Sequence, residues 1–179
     1  MAAPSPLLDD FDSVVEQYWA RIYRYACAAL RDPDEAQSVA QDCFVHAYRA
    51  RARFRGDASL ATWLIQIAVN LVRDRIRTRR LQFWKTASSR SVEVGDAGRW
   101  LTDHASTPEA QASARQQVAE VWKAVGSLSA RQRTVFLLRF VDGMDLAEIA
   151  RATGMKEGTV KTHLFRALNM VRRRVGGIR

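Results

Sequence analysis

The sequence predicts an all-α protein that consists of two small helical domains joined by a flexible linker. Apolar residues recur at three- and four-residue spacing through most of the 179 residues, and no alternating strand pattern competes with them. Between residues 81 and 107 this spacing fades, and serine and glycine interrupt it. We therefore expect a disordered N-terminus over residues 1–9, a first domain over residues 10–80, a linker over residues 81–107 and a second domain over residues 108–179.

The first domain should contain three helices. One apolar face over residues 11–29 predicts the first of them. The second should begin at Asp32, because Asp32 can cap it, Pro33 suits the first helical position and Glu35 lies three residues beyond the cap. The third is expected to begin near Ala58. Its apolar face comprises Leu60, Trp63, Leu64, Ile67, Leu71 and Ile76.

The second domain should begin with a helix that Thr107 caps and that has Pro108 at its first position. Ser129 and Gln132 form a capping-box pattern at the start of the next helix. Gly143 is expected to end that helix.

A helix-turn-helix layout follows over residues 146–168. Ala150 is small enough for the contact between two steeply crossed helices, and Gly154 lies where the turn needs a positive φ. The last helix is expected to run over about residues 157–175. Its outward-facing residues are Lys161, Thr162, Phe165 and Arg166.

Such a helix can enter the major groove of DNA with its early residues on the base edges. Arg166 or Lys161 could reach guanine, Phe165 could contact a thymine methyl group, and Thr159 lies near the helix N-terminus. Lys156 is better placed for phosphates. An ordinary helical hairpin with a solvated basic face is the alternative.

Charge is unevenly distributed along the chain. Residues 51–90 carry ten basic and two acidic residues, and residues 128–179 carry eleven and four, whereas the remaining segments are net acidic. Two basic blocks separated by acidic stretches suggest two contact regions for a polyanion such as nucleic acid. A solvated surface rich in arginine is the alternative.

The first basic block interleaves arginine with aromatic and amide side chains. Basic groups attract a nucleic-acid backbone, and aromatic groups offer stacking surfaces for unpaired bases. A loop over residues 56–60 could form a pocket for a flipped base. Trp63 could equally belong to the core, and Asn70 could be an ordinary solvated helix residue. The arginines are Arg51, Arg53, Arg55, Arg73, Arg75, Arg77, Arg79 and Arg80.

Several classes of protein are excluded by composition. The two cysteines, Cys27 and Cys43, lie in helical stretches and suit a reducing cytosol rather than a disulfide framework. The three histidines lie far apart, which argues against a zinc site. No apolar run is long enough to span a membrane, and the first twelve residues do not resemble a secretory signal. Together these features predict a cytoplasmic protein. No catalytic cluster occurs in the sequence, so we expect that the protein is not an enzyme and needs no cofactor.

Two sets of motifs carry a family resemblance. The first set is Asp34-Glu35-Ala36, Gln41-Asp42-Cys43-Phe44, Phe54-Arg55-Gly56-Asp57, Thr62-Trp63-Leu64 and Ile67-Ala68-Val69-Asn70. The second is Ser127-Leu128, Arg139, Asp142-Gly143, Glu148-Ile149-Ala150, Gly158-Thr159-Val160 and Phe165-Arg166-Ala167. They resemble regions 2 and 4 of bacterial RNA polymerase sigma factors of the extracytoplasmic-function (ECF) group in the sigma-70 family.

This resemblance implies a division of roles and a set of partners, namely core RNA polymerase through its β′ clamp helices and β flap, promoter DNA, and an anti-sigma factor. It implies that polymerase is bound by Gln41, Asp42, Phe44, Val45 and Arg49. It implies that the −10 element is read and opened by Asp57, Ala58, Ser59, Leu60, Trp63, Gln66, Asn70, Arg73 and Arg77. It implies that the −35 element is read by Lys156, Thr159, Lys161, Thr162, Phe165 and Arg166.

A second function remains open at this point. Residues 159–164 also resemble the output domain of LuxR-like regulators, which would bind duplex DNA as dimers and would use residues 10–80 for sensing or dimerisation. The arginine and aromatic content of residues 51–80 suits single strands better than a ligand pocket, and this favours the sigma factor.

Overall fold

The computed structural model describes the backbone of residues 10–86 and 108–176 and the side chains of residues 10–81 and 116–176. Within these ranges the chain forms seven α-helices and a 3-10 turn at Arg51–Arg53, and no strand occurs in them. The helices are α1 Phe11–Leu30, α2 Pro33–Ala50, α3 Leu60–Thr86, α4 Pro108–Gly126, α5 Ala130–Phe140, α6 Leu146–Thr153 and α7 Glu157–Val175. The predicted all-α class is confirmed. Helix α3 continues to Thr86, so the expected linker does not begin at residue 81. The rest of that linker, the expected disordered N-terminus over residues 1–9 and the Thr107 cap lie outside the described residues.

Helix starts follow the capping residues of the sequence. The Asp32 carboxylate accepts a hydrogen bond from the Glu35 amide at 3.0 Å, and Pro33 takes the first helical position, as predicted. Ser129 and Gln132 form the predicted capping box of α5. A second capping box, between Asp145 and Glu148, starts α6. Each cap satisfies backbone amides that a helix start leaves without partners, which stabilises a helix by about 1 kcal/mol.

The start of α3 differs from the prediction. The helix begins at Leu60 instead of near Ala58, because Ser59 caps it: the Ser59 hydroxyl accepts a hydrogen bond from the Thr62 amide at 3.1 Å. The two hydroxyls of Ser59 and Thr62 lie 2.8 Å apart. The loop before α3 therefore extends through Ser59, and Gly56 turns it with a φ of 76°.

Helices α1, α2 and α3 form an N-terminal module around one apolar core. Both cysteines, Cys27 and Cys43, are buried free thiols in this core. The Cys43 thiol donates to the Leu64 carbonyl at 3.4 Å, and burial raises its pKa to about 12. Core side chains that are at most 1% exposed include Ile22, Tyr25, Val39, Leu64 and Ile65.

Helices α4 to α7 form a C-terminal module. Its core brings together side chains from every one of these helices, among them the fully buried Leu137, Ile149 and Val160. Gly154 ends α6 with a φ of 68°, which confirms the predicted turn conformation. The Arg139 guanidinium donates to the Met144 carbonyl at 2.9 Å and closes the loop between α5 and α6.

The two modules pack against each other, which the sequence did not predict. Helix α3 contacts α6, and α1 contacts α5. Arg21 of α1 donates two hydrogen bonds to the Asp142 carboxylate, at 2.7 and 2.6 Å, and the Asp142 side chain is only 1% exposed. Because Asp142 follows α5, this ion pair joins the modules across 121 residues of sequence.

None of the helices in the described ranges has the length and apolar character that crossing a lipid bilayer requires.

Candidate nucleic-acid and protein interfaces

The residues expected to read the −35 element share one exposed surface, which we term the α7 face. Phe165 is 66% exposed, an unusual state for a large aromatic side chain that has no described partner ring. Behind it, Val160, Ala167 and Val171 are buried and hold α7 against the rest of the module. The α7 face comprises Lys156, Thr159, Lys161, Thr162, Phe165 and Arg166, all of which are exposed.

The α7 face offers groups for contacts with bases and for contacts with phosphates. The guanidinium and ammonium groups of Arg166 and Lys161 can donate to guanine or to phosphate, and Phe165 can contact a thymine methyl group. The Thr162 hydroxyl donates to the Gly158 carbonyl at 2.9 Å, so it can only accept from DNA in this rotamer. Three arginines that suit phosphates continue along the exposed side of the same helix, namely Arg172, Arg173 and Arg174.

A second row of polar residues runs along α3, and we term it the α3 stripe. Its members are spaced by three and four residues and therefore lie on one side of the helix, over about 21 Å from Trp63 to Arg77. The Asn70 side-chain oxygen accepts from Arg73 at 2.7 Å, and Arg77 pairs with Asp74 at 3.3 Å. The α3 stripe comprises Trp63, Gln66, Asn70, Arg73 and Arg77.

The loop before α3 lies at the start of this stripe. Asp57 and Ser59 are exposed, while Ala58 and Leu60 are half-buried. The half-buried Trp63 ring lies 5.0 Å from that of Phe54, at an angle of 45°. The alternative that Trp63 is a core residue is therefore correct in part, because one side of its ring is already occupied.

The arginines of the first basic block divide into two groups. Arg75 pairs with Asp42 at 3.1 Å, and Arg79 pairs with Asp32 at 2.7 Å and with Glu35 at 2.9 Å. These arginines tie α3 to α2. The cap hydrogen bond from the Glu35 amide, together with Arg79, holds the pKa of Asp32 below its usual value. The others on α3, Arg73, Arg77 and Arg80, are exposed away from α2.

The residues expected to bind polymerase lie partly on the surface of α2 and partly beneath it. Gln41 and Arg49 are exposed, and Val45 is 46% exposed. Asp42 is half-buried beside Arg75. Phe44 is instead in the core at 5% exposed, where its ring stacks on Trp19 with the centroids 5.9 Å apart.

Tyr48 is a candidate that the sequence analysis missed. It is 49% exposed, its ring lies 5.2 Å from Phe11, and the Arg51 guanidinium lies 3.8 Å above it. Three residues before it, Val45 is also exposed although apolar. The signal was available, because these two residues fall outside the apolar face of α2. We term the exposed row of Gln41, Val45, Tyr48 and Arg49 the α2 ridge.

The α3 stripe and the α7 face meet between the modules. Arg73 and Arg77 of the stripe and Thr159 of the face line one cavity of about 640 Å³, which we term the inter-module cleft. These residues therefore cannot contact two distant segments of DNA while the modules stay packed together.

Among the described residues, no group of three or more histidine, cysteine or carboxylate side chains could hold a metal ion.

Comparison with known proteins matches both modules to described families. The family model for Sigma-70 region 2 matches residues 14–82, and that for Sigma-70 region 4 matches residues 119–171. The RNA polymerase sigma-H factor of Pseudomonas aeruginosa is 33% identical over 162 residues, which cover 88% of this chain and 81% of that protein. The ECF RNA polymerase sigma factor SigW of Bacillus subtilis is 28% identical over 93% of this chain and 89% of its own.

A solved structure has the same overall fold. It is the sigma factor RpoE of Bartonella quintana, crystallised in complex with the anti-sigma factor NepR. The match has a TM-score of 0.75 at 21% sequence identity and covers 96% of this chain and 99% of that one.

Proposed function

The chain belongs to the RNA polymerase sigma factors of the ECF group, and from this premise we propose how its residues divide the work of promoter recognition. As a sigma factor it directs promoter-specific transcription by core RNA polymerase and is not an enzyme. It contributes binding energy, which favours one DNA site over other sites and favours the opened form of that site over the closed duplex.

The α7 face reads the −35 element. The recognition helix of a helix-turn-helix contacts bases through its first turns, and the face occupies those turns of α7. Arg166 and Phe165 make the base contacts, and Lys156 with the arginines at 172–174 contacts phosphates.

The α3 stripe and the loop over residues 56–60 act on the −10 element. The stripe places the amide groups of Gln66 and Asn70 before the guanidinium groups of Arg73 and Arg77, so it can hydrogen-bond to an unpaired base and neutralise the adjacent backbone. The loop contributes Asp57, Ala58, Ser59 and Leu60 to the pocket that holds a flipped base. Trp63, supported by Phe54, forms the wall at the start of the stripe.

The α2 ridge binds the β′ clamp helices of the polymerase, and the C-terminal module binds its β flap. Exposed apolar groups at Val45 and Tyr48 give the ridge an apolar centre, and Gln41 and Arg49 give it a polar margin. Phe44 supports the ridge from within the core, and Asp42 orients Arg75. We therefore propose that Phe44 and Asp42 support the polymerase site without touching the polymerase.

Promoter binding requires the modules to separate. The two promoter elements are about 25 base pairs apart by their names, which is about 85 Å along the DNA at 3.4 Å per pair. The α3 stripe and the α7 face share one cavity, so they cannot span this distance. The structure described here is therefore the closed form of the molecule, and core polymerase binds the open form.

We place an anti-sigma factor among its partners and its activity in the cytoplasm, where the polymerase works. The Bartonella relative was crystallised with an anti-sigma factor, which supports a partner of that class here. The LuxR-like alternative has no support, because the family matches go to sigma regions 2 and 4.

The exposed Phe165 and Arg166 carry this proposal, and run-off transcription with core polymerase tests it. Replacing Arg166 by Ala should weaken recognition by about 1–3 kcal/mol at one −35 base pair if the contact is bidentate, with little loss on a promoter altered at that pair. Arg24→Ala removes another exposed arginine, from α1, and serves as the matched control.

An equal loss on every promoter would instead make Arg166 a phosphate contact. If the wild-type chain started no transcripts with core polymerase from any template, while the chain alone bound intact duplex tightly, the proposed function would be wrong.

A further inference from the structure

The inter-module cleft is lined by basic groups from both modules. Arg73, Arg77 and Arg80 project from α3, and Arg131 and Arg133 project from α5. No carboxylate lies among the described residues that line the cleft. Like charges therefore face each other across it, and they oppose closure of the modules unless an anion lies between them.

Among these five arginines, only Arg77 has an ion-pair partner in the described residues. Asp74 pairs with Arg77 outside the cleft at 3.3 Å, and Asp142 is held by Arg21. Arg133 is half-buried and has no ion pair among the described residues, and this burial, followed by the nearby Arg31, lowers its pKa. A buried cation without a partner is costly, so this position favours an incoming negative charge.

Much of the remaining lining of the cleft is apolar. It includes Val69, Val72 and Ile76 of α3, Leu137 of α5, and Met155 of the turn before α7. A flat ring system placed against them would bury apolar surface.

Two threonine hydroxyls add acceptors to the same lining. The Thr134 hydroxyl donates to the Ala130 carbonyl at 3.0 Å, and the Thr153 hydroxyl donates to the Ile149 carbonyl at 2.6 Å. Their remaining lone pairs can accept hydrogen bonds from a hydroxyl or an amine of a ligand.

We propose that the inter-module cleft binds a small polyanion that carries a ring system, the chemistry of a nucleoside polyphosphate. Phosphate oxygens accept paired hydrogen bonds from guanidinium groups, and the base lies on the apolar part of the lining. The volume of about 640 Å³ is in the range of small-molecule sites.

DNA binding does not account for this cluster. The −10 contacts proposed above use Arg73 and Arg77, but neither the −10 nor the −35 site uses Arg131 or Arg133. These two arginines join the others only in the closed form. A ligand that bridges both groups binds the closed form and not the open one, so it favours closure by mass action.

The ligand therefore lowers the affinity of the chain for core polymerase. This consequence rests on the proposed function, whereas the binding site itself does not. By linkage, polymerase must weaken the binding of the ligand by the same factor.

Isothermal titration calorimetry on the full chain tests the site, with ATP, tripolyphosphate and adenosine as probes at constant ionic strength. We expect one saturable ATP site. The double variant Arg80→Gln/Arg131→Gln should bind ATP at least tenfold more weakly. The matched control Arg24→Gln/Arg151→Gln removes the same charge from exposed arginines outside the cleft and should stay within twofold of wild type.

The other probes separate the parts of the ligand. Tripolyphosphate and adenosine should each bind at least tenfold more weakly than ATP, because each lacks one half of the interaction. Tripolyphosphate binding as tight as that of ATP would overturn the role of the ring. An equal loss in both double variants, or no ATP binding at 5 mM, would overturn the site. Circular dichroism verifies that the variants keep their helices.

Association of the labelled chain with core polymerase tests the coupling. ATP should weaken this association for wild type and leave that of Arg80→Gln/Arg131→Gln unchanged. An ATP site without any effect on association would overturn the coupling alone. A chain that failed to bind core polymerase even without ATP would instead refute the proposed function, while the calorimetry would still decide the site.

Discussion

At the scale of single residues, Asp142 makes the contact with the largest consequence for the arrangement of the molecule. Its carboxylate is almost fully buried and accepts hydrogen bonds from Nε and Nη2 of Arg21. The hydrogen bond from Arg21 to Asp142 also raises the pKa of the Arg21 guanidinium. A charge that loses its partner in such a place stays desolvated unless the modules move apart. The pair therefore favours one relative position of the modules.

A double-mutant cycle should detect this pair. Asp142→Asn and Arg21→Gln should each lower the free energy of unfolding by about 2 kcal/mol, and the double variant should lose less than their sum by about 1.5–3 kcal/mol. Urea unfolding followed by circular dichroism measures these values. Arg24→Gln, on an exposed position of the same helix, should have no effect. Strictly additive losses would contradict the assignment.

Cys43 should make the fold less stable at high pH. Burial raises the pKa of its thiol to about 12, whereas a thiol in an unfolded chain has a pKa of about 8.5. Because the folded value is the higher one, the stabilisation is complete below the unfolded pKa and is lost as pH rises toward 12. We expect a decrease of up to about 1.4 kcal/mol per pH unit between pH 9 and 11.

The Cys43→Ala variant isolates this effect. Tyrosines and lysines titrate in both proteins, so the difference between the two slopes in urea unfolding belongs to Cys43. Identical slopes from pH 8 to pH 11 would show that the thiolate is not excluded from the core.

At the scale of single elements, the turn between α6 and α7 determines how the α7 face is presented. Gly154 has a φ of 68° and Gly158, four residues later, lies in the first turn of α7. A Cβ atom added to either glycine would have open space around it. The two positions therefore differ in backbone conformation and not in steric room.

Alanine at these two positions should have opposite effects. Gly154→Ala should lower the free energy of unfolding by about 1–2 kcal/mol, since side chains disfavour a positive φ. Gly158→Ala should raise it by up to about 1 kcal/mol, since glycine disfavours a helix. Thermal unfolding measures both. If both variants lowered the free energy of unfolding equally, the positive φ at Gly154 would not be the cause of the loss at that position.

Predicting the elements from the sequence succeeded wherever the signal was local. Asp32 with Pro33, and Ser129 with Gln132, mark helix starts because a cap acts within three residues of itself. Helix α3 begins two residues later than the apolar spacing predicts, because Ser59 is its N-cap residue. The apolar spacing of α2 leaves Val45 outside the buried face, but it could not show that Phe44 stacks on Trp19 of another helix.

Capping motifs and apolar spacing do not predict contacts between residues that are distant in the sequence. Arg75 and Arg79 look like Arg73 and Arg77 in the sequence, yet only the former pair with carboxylates of α2. Nothing near Arg21 indicates that its partner is 121 residues away. Ion pairs of this kind follow from how helices pack, and periodicity carries no information about it. The two modules were predicted, but their closed arrangement was not.

At the scale of the whole molecule, the free chain should be compact. A fully compact chain of this length has a radius of gyration of about 16 Å. Small-angle X-ray scattering of wild type should approach this value. The double variant Arg21→Gln/Asp142→Asn should be larger by several ångströms, since its modules lose their ion pair. A wild-type value equal to that of the double variant would contradict a closed form in solution.

If core polymerase binds the open form as proposed, the Arg21–Asp142 pair also sets how much of this protein a cell must make. A polymerase that binds only the open form meets an apparent dissociation constant equal to the intrinsic one divided by the open fraction. If the open fraction is about 1%, the required dose is about a hundredfold higher than for an unrestrained chain. Each change of about 1.4 kcal/mol in the pair alters that dose tenfold. Substitutions at positions 21 and 142 can thus retune the threshold for gene activation without changing any side chain of the α3 stripe or the α7 face.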